Sequence, residues 1–295
     1  MICPTKQPDP RLTQFLRDVY VSARLGISPS AAEQIGYAIR SLERWHGDPL
    51  RISQLSEPLL RGFLSDYCRE HSASTANSKR GHLLALWQCA WEEGYRDQPP
   101  RRSKVRVLRT ERAVPEAWTP AEVARILVTC NGEQGRLDGI LAACWWRSLL
   151  LVAYDTGERR GALLKTMLAD LDCDRAVVLF RATKTRQHRL CALSPDTVEA
   201  CRRILAPQRP LLWPWPHHRS YLDKSLRRIL RRAGVPYGRD RGGVWHKFRR
   251  TSGSLVEAAG GDGAKHLGNT RAVFEQSYRD PRFFHSSVEL LPRPG

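Results

Sequence analysis

Five residues in the second half of the sequence carry side chains that together suit chemistry at a phosphodiester. They are Arg159, Lys184, His246, Arg249 and Tyr278. Two guanidinium groups can hold the non-bridging oxygens of a phosphate, whose negative charge grows in a pentavalent transition state. A tyrosine hydroxyl becomes a nucleophile once its proton is removed, and lysine and histidine can transfer protons. The set predicts cleavage of a phosphodiester without a metal ion.

Each of these residues also has an ordinary structural interpretation. A tyrosine is most often half-buried, a histidine can cap a helix, and a lysine in a turn is usually solvated. His246 and Arg249 are three positions apart, however, so a helix would place both side chains on one face. The prediction therefore depends on the order and spacing of the whole set.

The elements that would hold these side chains can be predicted from local patterns. Residues 137–154 are apolar on nearly all sides, which predicts a buried helix that ends just before Arg159. Residues 176–180 and 189–193 predict the two strands of a β-hairpin with Lys184 near its tip. Residues 246–279 predict three short helices separated by glycines.

The first part of the chain has a different pattern. Residues 11–95 contain four stretches with apolar side chains at helical spacing and no strand pattern, which predicts a helical bundle. Its fourth helix is predicted to begin at Ser74 or a neighbour. Residues 96–117 are rich in proline and arginine, which indicates a basic linker. We therefore expect a helical domain over 1–95, a linker over 96–117 and a second domain over 118–295.

Composition restricts the class of protein. The formal net charge is +18, which is typical of nucleic-acid-binding proteins but also of basic soluble proteins from GC-rich genomes. The eight cysteines contain no CxxC pair, so neither a zinc ribbon nor a redox dithiol is predicted. The N-terminus lacks a signal peptide and no apolar run is long enough to span a bilayer, so we expect a cytoplasmic protein without a membrane partner.

Three groups of basic or hydroxyl side chains are candidates for contact with nucleic acid. They are Ser78, Lys79 and His82 on the fourth helix; Arg101, Arg102 and Lys104 in the linker; and Lys224, Arg227, Arg228 and Arg231 on a predicted helix over 220–233. An ordinary solvated face is the alternative for the first and third groups, and a charged but uninvolved tether is the alternative for the second. The third group has almost no acidic neighbours in the sequence, which favours an anionic partner.

In combination, these motifs resemble the tyrosine recombinase (phage integrase) family. That family has, in order, a T-G-x-R motif, a lysine in a β-hairpin, an H-x-x-R helix, an L-G-H turn and a later tyrosine. This chain has Thr156-Gly157-Glu158-Arg159, then Lys184, then His246-Lys247-Phe248-Arg249. Leu267-Gly268-Asn269 follows, and Tyr278 lies nine positions after Asn269.

The resemblance implies a fold and a function. It implies a mostly α fold with a small β-hairpin or sheet (α+β), in which a helical core-binding domain precedes a catalytic domain. Arg159, Arg249 and Asn269 would contact the scissile phosphate, Lys184 would protonate the 5′ oxygen, and His246 would transfer a proton. Tyr278 would form a 3′-phosphotyrosyl link. The partner would be double-stranded DNA, bound by a homotetramer at paired sites, with no cofactor or ATP.

Three departures from the family pattern leave alternatives open. Asn269 replaces the usual second histidine, Ala162 stands where glutamate is usual, and Arg250 follows H-x-x-R where histidine is common. An asparagine amide can donate a hydrogen bond but cannot transfer a proton at neutral pH, and His266 is a candidate substitute. The alternatives are a DNA-binding protein with weakened chemistry on the same scaffold and an enzyme that resembles a type IB topoisomerase.

Overall fold

The computed structural model describes residues 8–111, 114–181, 188–238 and 243–284. The chain divides into two compact units, Met1–Arg112 and Ala113–Gly295.

The first unit is helical, as the apolar spacing predicts. Its helices are α1 (Leu12–Phe15), α2 (Val21–Ala23), α3 (Pro29–His46), α4 (Glu57–Glu70) and α5 (Ala73–Glu92), with a π-helical turn (Leu16–Tyr20) between the first two. The first turn of α3 is fixed by Ser28, whose side chain accepts a hydrogen bond from the Ala31 N–H. Apolar faces from these helices form one core of their own. Helix α5 is capped by Ser72 rather than Ser74, because the Ser72 hydroxyl accepts from the Thr75 N–H.

Much of segment 96–117, which was predicted to be a linker, belongs to the first unit and packs against its helices. Val105 is buried in the core of this unit, and Asn77 exchanges hydrogen bonds of 2.9 Å with the backbone N–H and C=O of Leu108. Arg80 also donates to the Val105 carbonyl at 2.5 Å. Local composition could not predict this, because the side chains that hold the segment are on α5.

The second unit begins with the buried Trp118 and a capped helix. Helix α6 (Pro120–Cys130) starts at the predicted capping box, in which Thr119 and Glu122 bond reciprocally.

The next stretch corrects the prediction of one helix over 137–154. Strands β1 (Arg136–Leu137) and β2 (Ile140–Leu141) form a hairpin, and helix α7 (Ala142–Thr156) follows it. The chain turns because Asp138 and Gly139 both have positive φ angles, 49° and 80°.

A three-stranded antiparallel sheet follows the short helix α8 (Arg160–Leu163). Strand β4 (Val177–Phe180) pairs with β5 (Arg189–Ala192), as predicted, with Val178 opposite Cys191. A third strand, β3 (Leu171–Asp172), which the sequence pattern did not predict, pairs with the other edge of β4.

Helices α9 (Pro195–Arg202), α10 (Arg219–Arg232) and α11 (Trp245–Ala258) complete the second core. Helices α12 (Gly263–Leu267) and α13 (Arg271–Ser277) follow, and their buried residues form a small cluster of their own. The central helix α7 is buried along most of its length, and Phe248 of α11 packs edge-on against Trp118, with ring centroids 4.8 Å apart. Within the described residues, no helix combines the length and apolarity needed to cross a bilayer.

Candidate active site

Arg159 stands at a tight break between two helices. Helix α7 ends at Gly157, whose φ of 58° is left-handed, and Arg159 is the extended residue before α8. A Cβ built on Gly157 would lie 2.4 Å from Leu267 Cδ2, so a side chain here would have to displace Leu267 as well as adopt a left-handed conformation. The turn therefore holds the backbone of Arg159 firmly beside the end of α12.

Arg249 is buried at the centre of the site, with 1% of its surface exposed. Its Nη1 donates to the Gly157 carbonyl at 2.7 Å, and its Nη2 donates to the Leu267 carbonyl and to Asn269 Oδ1. Two buried donors, Arg249 Nε and Asn269 Nδ2, have no hydrogen-bond partner among the described residues. Buried donors of this kind are rare and costly unless a ligand or water satisfies them.

Tyr278 and His246 lie beside this guanidinium. The Arg249 guanidinium carbon is 5.2 Å from the centre of the Tyr278 ring, and the His246 ring centre is 6.5 Å from that of Tyr278. Tyr278 is the residue directly after α13, and its side chain is partly buried. Three elements, α11, α12 and α13, therefore bring the predicted proton acceptor, phosphate ligands and nucleophile together.

The cleft next to these residues is lined by more cations than anions. It has a volume of about 680 Å³, and Arg159, Arg227, His246 and Arg249 line it. Arg160 also lines it but pairs with Asp223 of the same cleft at 2.7 Å. Removal of water from part of the imidazole lowers the pKa of His246, and the nearby Arg250 and Arg249 lower it further. Burial, followed by the charge of Arg159, likewise lowers the pKa of Arg249. His246 is therefore neutral at pH 7 and able to accept a proton.

Among the described residues, the acidic residue inside the T-G-x-R motif forms its ion pair with Arg189 and not with Arg159. The Glu158 carboxylate is buried, accepts from the Arg159 backbone N–H at 2.7 Å, and forms an ion pair with Arg189. Arg189 also donates to the carbonyl of His266. Sequence reasoning missed this network, and its one signal was a glutamate at the variable position of the motif.

Residues 117–263 match the sequence model described as the phage integrase family. The chain belongs to the phage integrase family. The matched stretch contains Arg159, His246 and Arg249 but ends before Asn269 and Tyr278, so the position of the last two rests on the structure. No curated protein sequence matches the chain.

Solved structures of integrases share the fold of this chain. A lambda integrase tetramer bound to a Holliday junction superposes with a TM-score of 0.72 at 19% identity, over 95% of this chain and 80% of that one. The Tn1549 transposon integrase in complex with a circular intermediate DNA gives 0.69 at 14% identity, over 95% and 96%. These similarities confirm the predicted mostly helical fold with its small sheet.

Ala162 and Asn269 are two of the departures from the family motif, and the structure shows the surroundings of both in this integrase-family chain. Ala162 is buried with 6% exposure and belongs to the apolar core. His266 Nε2 is 2.7 Å from the Ser252 hydroxyl, and burial, then Arg189, lowers the pKa of its imidazole. Asn269, rather than His266, contacts Arg249.

Lys184 lies in 182–187, outside the described residues.

The predicted DNA-binding residues of α5 have partners of their own. The Ser78 hydroxyl donates to the Ser74 carbonyl at 3.1 Å, and Lys79 Nζ donates to the Tyr37 carbonyl at 3.0 Å. Burial, then Arg40 and Arg44, lowers the pKa of Lys79. Burial, then Lys79, lowers that of His82. The face thus includes Arg40 and Arg44 of α3, two cations that the sequence analysis did not single out.

The three residues of segment 96–117 that were predicted to contact DNA, Arg101, Arg102 and Lys104, are exposed. Arg101 forms an ion pair with Glu57 at 3.1 Å. Arg102 and Lys104 belong to a short 3₁₀ turn (Arg102–Lys104), and their carbonyls accept from Arg80 and Arg61. Their role in DNA binding stays a prediction.

Two arginines of α10 pair with an acidic residue from another part of the second unit, which the local sequence did not predict. Glu133, buried after α6, pairs with Arg228 and Arg232. The charge of Arg228 is thus partly neutralised within the protein. Lys224 lies over the ring of Tyr221, 5.0 Å from its centre, and Arg227 and Arg231 are exposed. Of the four predicted residues on α10, Arg227 is the one that lines the cleft with Arg159 and His246.

Proposed function

We propose that this chain is a site-specific DNA recombinase or integrase that cuts and rejoins duplex DNA through a 3′-phosphotyrosyl intermediate. The observation that supports this most directly is a pair of buried donors, Arg249 Nε and Asn269 Nδ2, for which the described part of the chain offers no hydrogen-bond partner. Both belong to side chains that contact each other, and Arg249 lies against the Tyr278 ring. A phosphate oxygen is an acceptor that would satisfy these donors within reach of a nucleophile.

The proposed reaction uses only side chains of this chain. Arg159 and Arg249 hold the non-bridging oxygens while the Tyr278 hydroxyl oxygen attacks phosphorus. Neutral His246 takes the phenol proton, directly or through water, and Lys184 gives a proton to the departing 5′ oxygen. The new P–O bond replaces the broken one with little loss of energy, so attack by another 5′ hydroxyl can reseal DNA without ATP.

The proposed partner is double-stranded DNA. The net charge of +18 supports this, as do the cations that line the cleft beside Arg249. A lambda integrase with the same fold was solved as a tetramer bound to a Holliday junction. We propose the same number of subunits for this chain when it acts on two DNA sites.

Covalent trapping tests the proposed function. The protein is incubated with nicked suicide duplexes taken from the flanks of its own gene, denatured, and examined for a protein–DNA adduct. We expect an adduct with the unchanged chain and with Tyr154→Phe, which removes a half-buried phenol from α7 of the same unit. Tyr278→Phe should form none. An adduct that persists in Tyr278→Phe would refute the assignment of the nucleophile.

A second candidate function is DNA binding with weakened chemistry on the same scaffold. It is favoured by the buried Ala162 and by the contact of His266 with Ser252, which leaves Asn269 as the side chain beside Arg249. Salt-sensitive DNA binding without any adduct would support it.

A further inference from the structure

A buried carboxylate lies two residues beyond Tyr278. Asp280 is 0% exposed. Its carboxylate accepts from the Ala117 N–H at 2.6 Å, from the Arg282 N–H at 2.9 Å and from Arg282 Nη2 at 2.6 Å. Burial by itself would raise the pKa of this carboxyl, but the bonds from Arg282 and Ala117 hold it below its usual value. Asp280 is therefore an ionised and well-partnered anion inside the unit.

A short chain of hydrogen bonds joins the backbone N–H of Asp280 to the backbone carbonyl of Tyr278. The Asp280 N–H donates to the Ser254 hydroxyl at 2.9 Å, and that hydroxyl donates to the Tyr278 carbonyl at 3.0 Å. Ser254 is on α11, the helix that carries His246 and Arg249. The bonds thus fix the main chain on both sides of Arg279 to the helix that holds the phosphate-binding guanidinium.

The helix before Tyr278 is too small to provide this fixation alone. Helix α13 has seven residues, of which Phe274 is the buried one. The Tyr278 ring itself is only partly buried. A nucleophile held to within about 0.5 Å of its reactive position needs support from packed neighbours or hydrogen bonds.

The same anion fixes the start of the unit. Ala117 donates to Asp280, and its carbonyl accepts from Arg282 Nη2 at 2.9 Å. The next residue, Trp118, donates its N–H to Thr251 of α11 at 2.8 Å. The segments 117–118, 251–254 and 278–282 therefore form one hydrogen-bonded junction beside the site, with Asp280 at its centre.

We propose that Asp280 is a positioning residue for the Tyr278 nucleophile: its carboxylate acts through Ala117 and Arg282, and its backbone N–H acts through Ser254; this inference rests on the proposed function. Asp280 does not touch the reacting atoms. It holds the main chain that carries the phenol in register with Arg249, so its removal should slow the formation of the phosphotyrosyl link without weakening DNA binding.

Two substitutions test the proposal. Asp280→Asn keeps the shape of the side chain but removes its charge and one acceptor oxygen. Ser254→Ala removes the hydroxyl that joins Asp280 to Tyr278, and it keeps the proposal testable if Asp280→Asn fails to fold. Asp174→Asn makes the same charge change on an exposed side chain and serves as the control.

The first measurement is amide hydrogen exchange on the free protein, which requires no catalysis. We expect exchange of the Tyr278 and Asp280 amides to become at least about tenfold faster in Asp280→Asn and in Ser254→Ala. The control should match the unchanged chain. Unchanged exchange in both variants would overturn the proposal even if the protein proves to have no cleavage activity.

The second measurement separates chemistry from binding. On suicide duplexes at saturating protein, we expect a tenfold or greater loss in the rate of adduct formation, with DNA affinity within about twofold. A bridging 5′-sulfur leaving group needs no proton, so it should restore cleavage to Lys184→Ala but not to Asp280→Asn. Wild-type rates in both variants would overturn the positioning role, whereas a wild-type chain that forms no adduct would instead overturn the proposed function.

Discussion

At the scale of single residues, the most informative feature is that only part of the Arg249 guanidinium has hydrogen-bond partners among the described residues. Its two terminal nitrogens are fixed by the carbonyls of Gly157 and Leu267, which leaves Nε directed at no described acceptor. An unsatisfied buried donor costs about 1–3 kcal/mol. The site tolerates that cost next to the unpartnered amide of Asn269, which is understandable if an anion binds there.

Asn269→Asp should therefore damage the site more than its small size suggests. The substitution replaces the free amide donor with a carboxylate that would pair with Arg249 and repel a phosphate. We expect the adduct-forming rate to fall by about 10²–10³, the usual loss for one oxyanion donor. Single-turnover trapping measures this, with Asn131→Asp, an exposed amide at the end of α6, as the control. An unchanged rate in Asn269→Asp would show that the amide does not contact the phosphate.

The lowered pKa of His246 gives a pH prediction. Below its pKa the imidazole is protonated and cannot accept the phenol proton, so the adduct-forming rate should fall only below the ordinary histidine range. After burial, Arg250 is the largest cause of the lowered pKa. Arg250→Gln removes that cation, so the pKa should rise and the acid limb of the pH–rate profile should move to higher pH.

Arg250 also donates to the Ser277 carbonyl at 3.0 Å, so its charge must be tested apart from its geometry. Arg250→Lys keeps the charge and should leave the acid limb close to its original pH. A limb that stays in place in Arg250→Gln, or moves to lower pH, would exclude His246 as the group that titrates.

At the scale of elements, the turn between α7 and α8 carries the heaviest constraint. Gly157→Ala forces a side chain into a left-handed conformation and toward Leu267 Cδ2, 2.4 Å from the new Cβ. We expect the free energy of unfolding to fall by about 2 kcal/mol or more and cleavage to be lost, because the Gly157 carbonyl also holds Arg249.

Denaturant unfolding and the trapping assay test this expectation. Gly161→Ala is the matched control, since its Cβ would meet nothing within 4 Å. Equal unfolding free energies for the two variants would contradict the argument.

Much of this architecture could be predicted because it is encoded locally. Helical spacing and caps such as Thr119 with Glu122 gave the helices, and the order of Arg159, His246, Arg249 and Tyr278 indicated one site. The β1–β2 hairpin was missed because its apolar residues continue the pattern of α7. Contacts such as Glu158 with Arg189, or Asp280 with Ala117, join distant positions and leave no periodic signal.

At the scale of the whole molecule, the charge of +18 is unevenly compensated. Some cations are held by buried acids, as Arg228 and Arg232 are by Glu133. Others, such as Arg227, line the cationic cleft with Arg159 and Arg249. Arg227 and Arg228 are neighbours in the sequence, but they differ in the structure: Arg228 pairs with a buried carboxylate, whereas Arg227 faces the cleft.

The dependence of DNA binding on salt should reveal that difference. Each phosphate contact contributes about 0.9 to the slope of log K against log salt, because a bound cation displaces a counterion from DNA. Arg227→Gln should therefore reduce the magnitude of the slope by about 0.9. Arg228→Gln should reduce it by less, since Glu133 already offsets part of that charge. The control is Arg203→Gln, an exposed cation directly after α9 that pairs with Glu199 at 3.2 Å and should leave the slope unchanged. Equal reductions in all three variants would mean that only the net charge matters, and that the cleft has no special part in binding DNA.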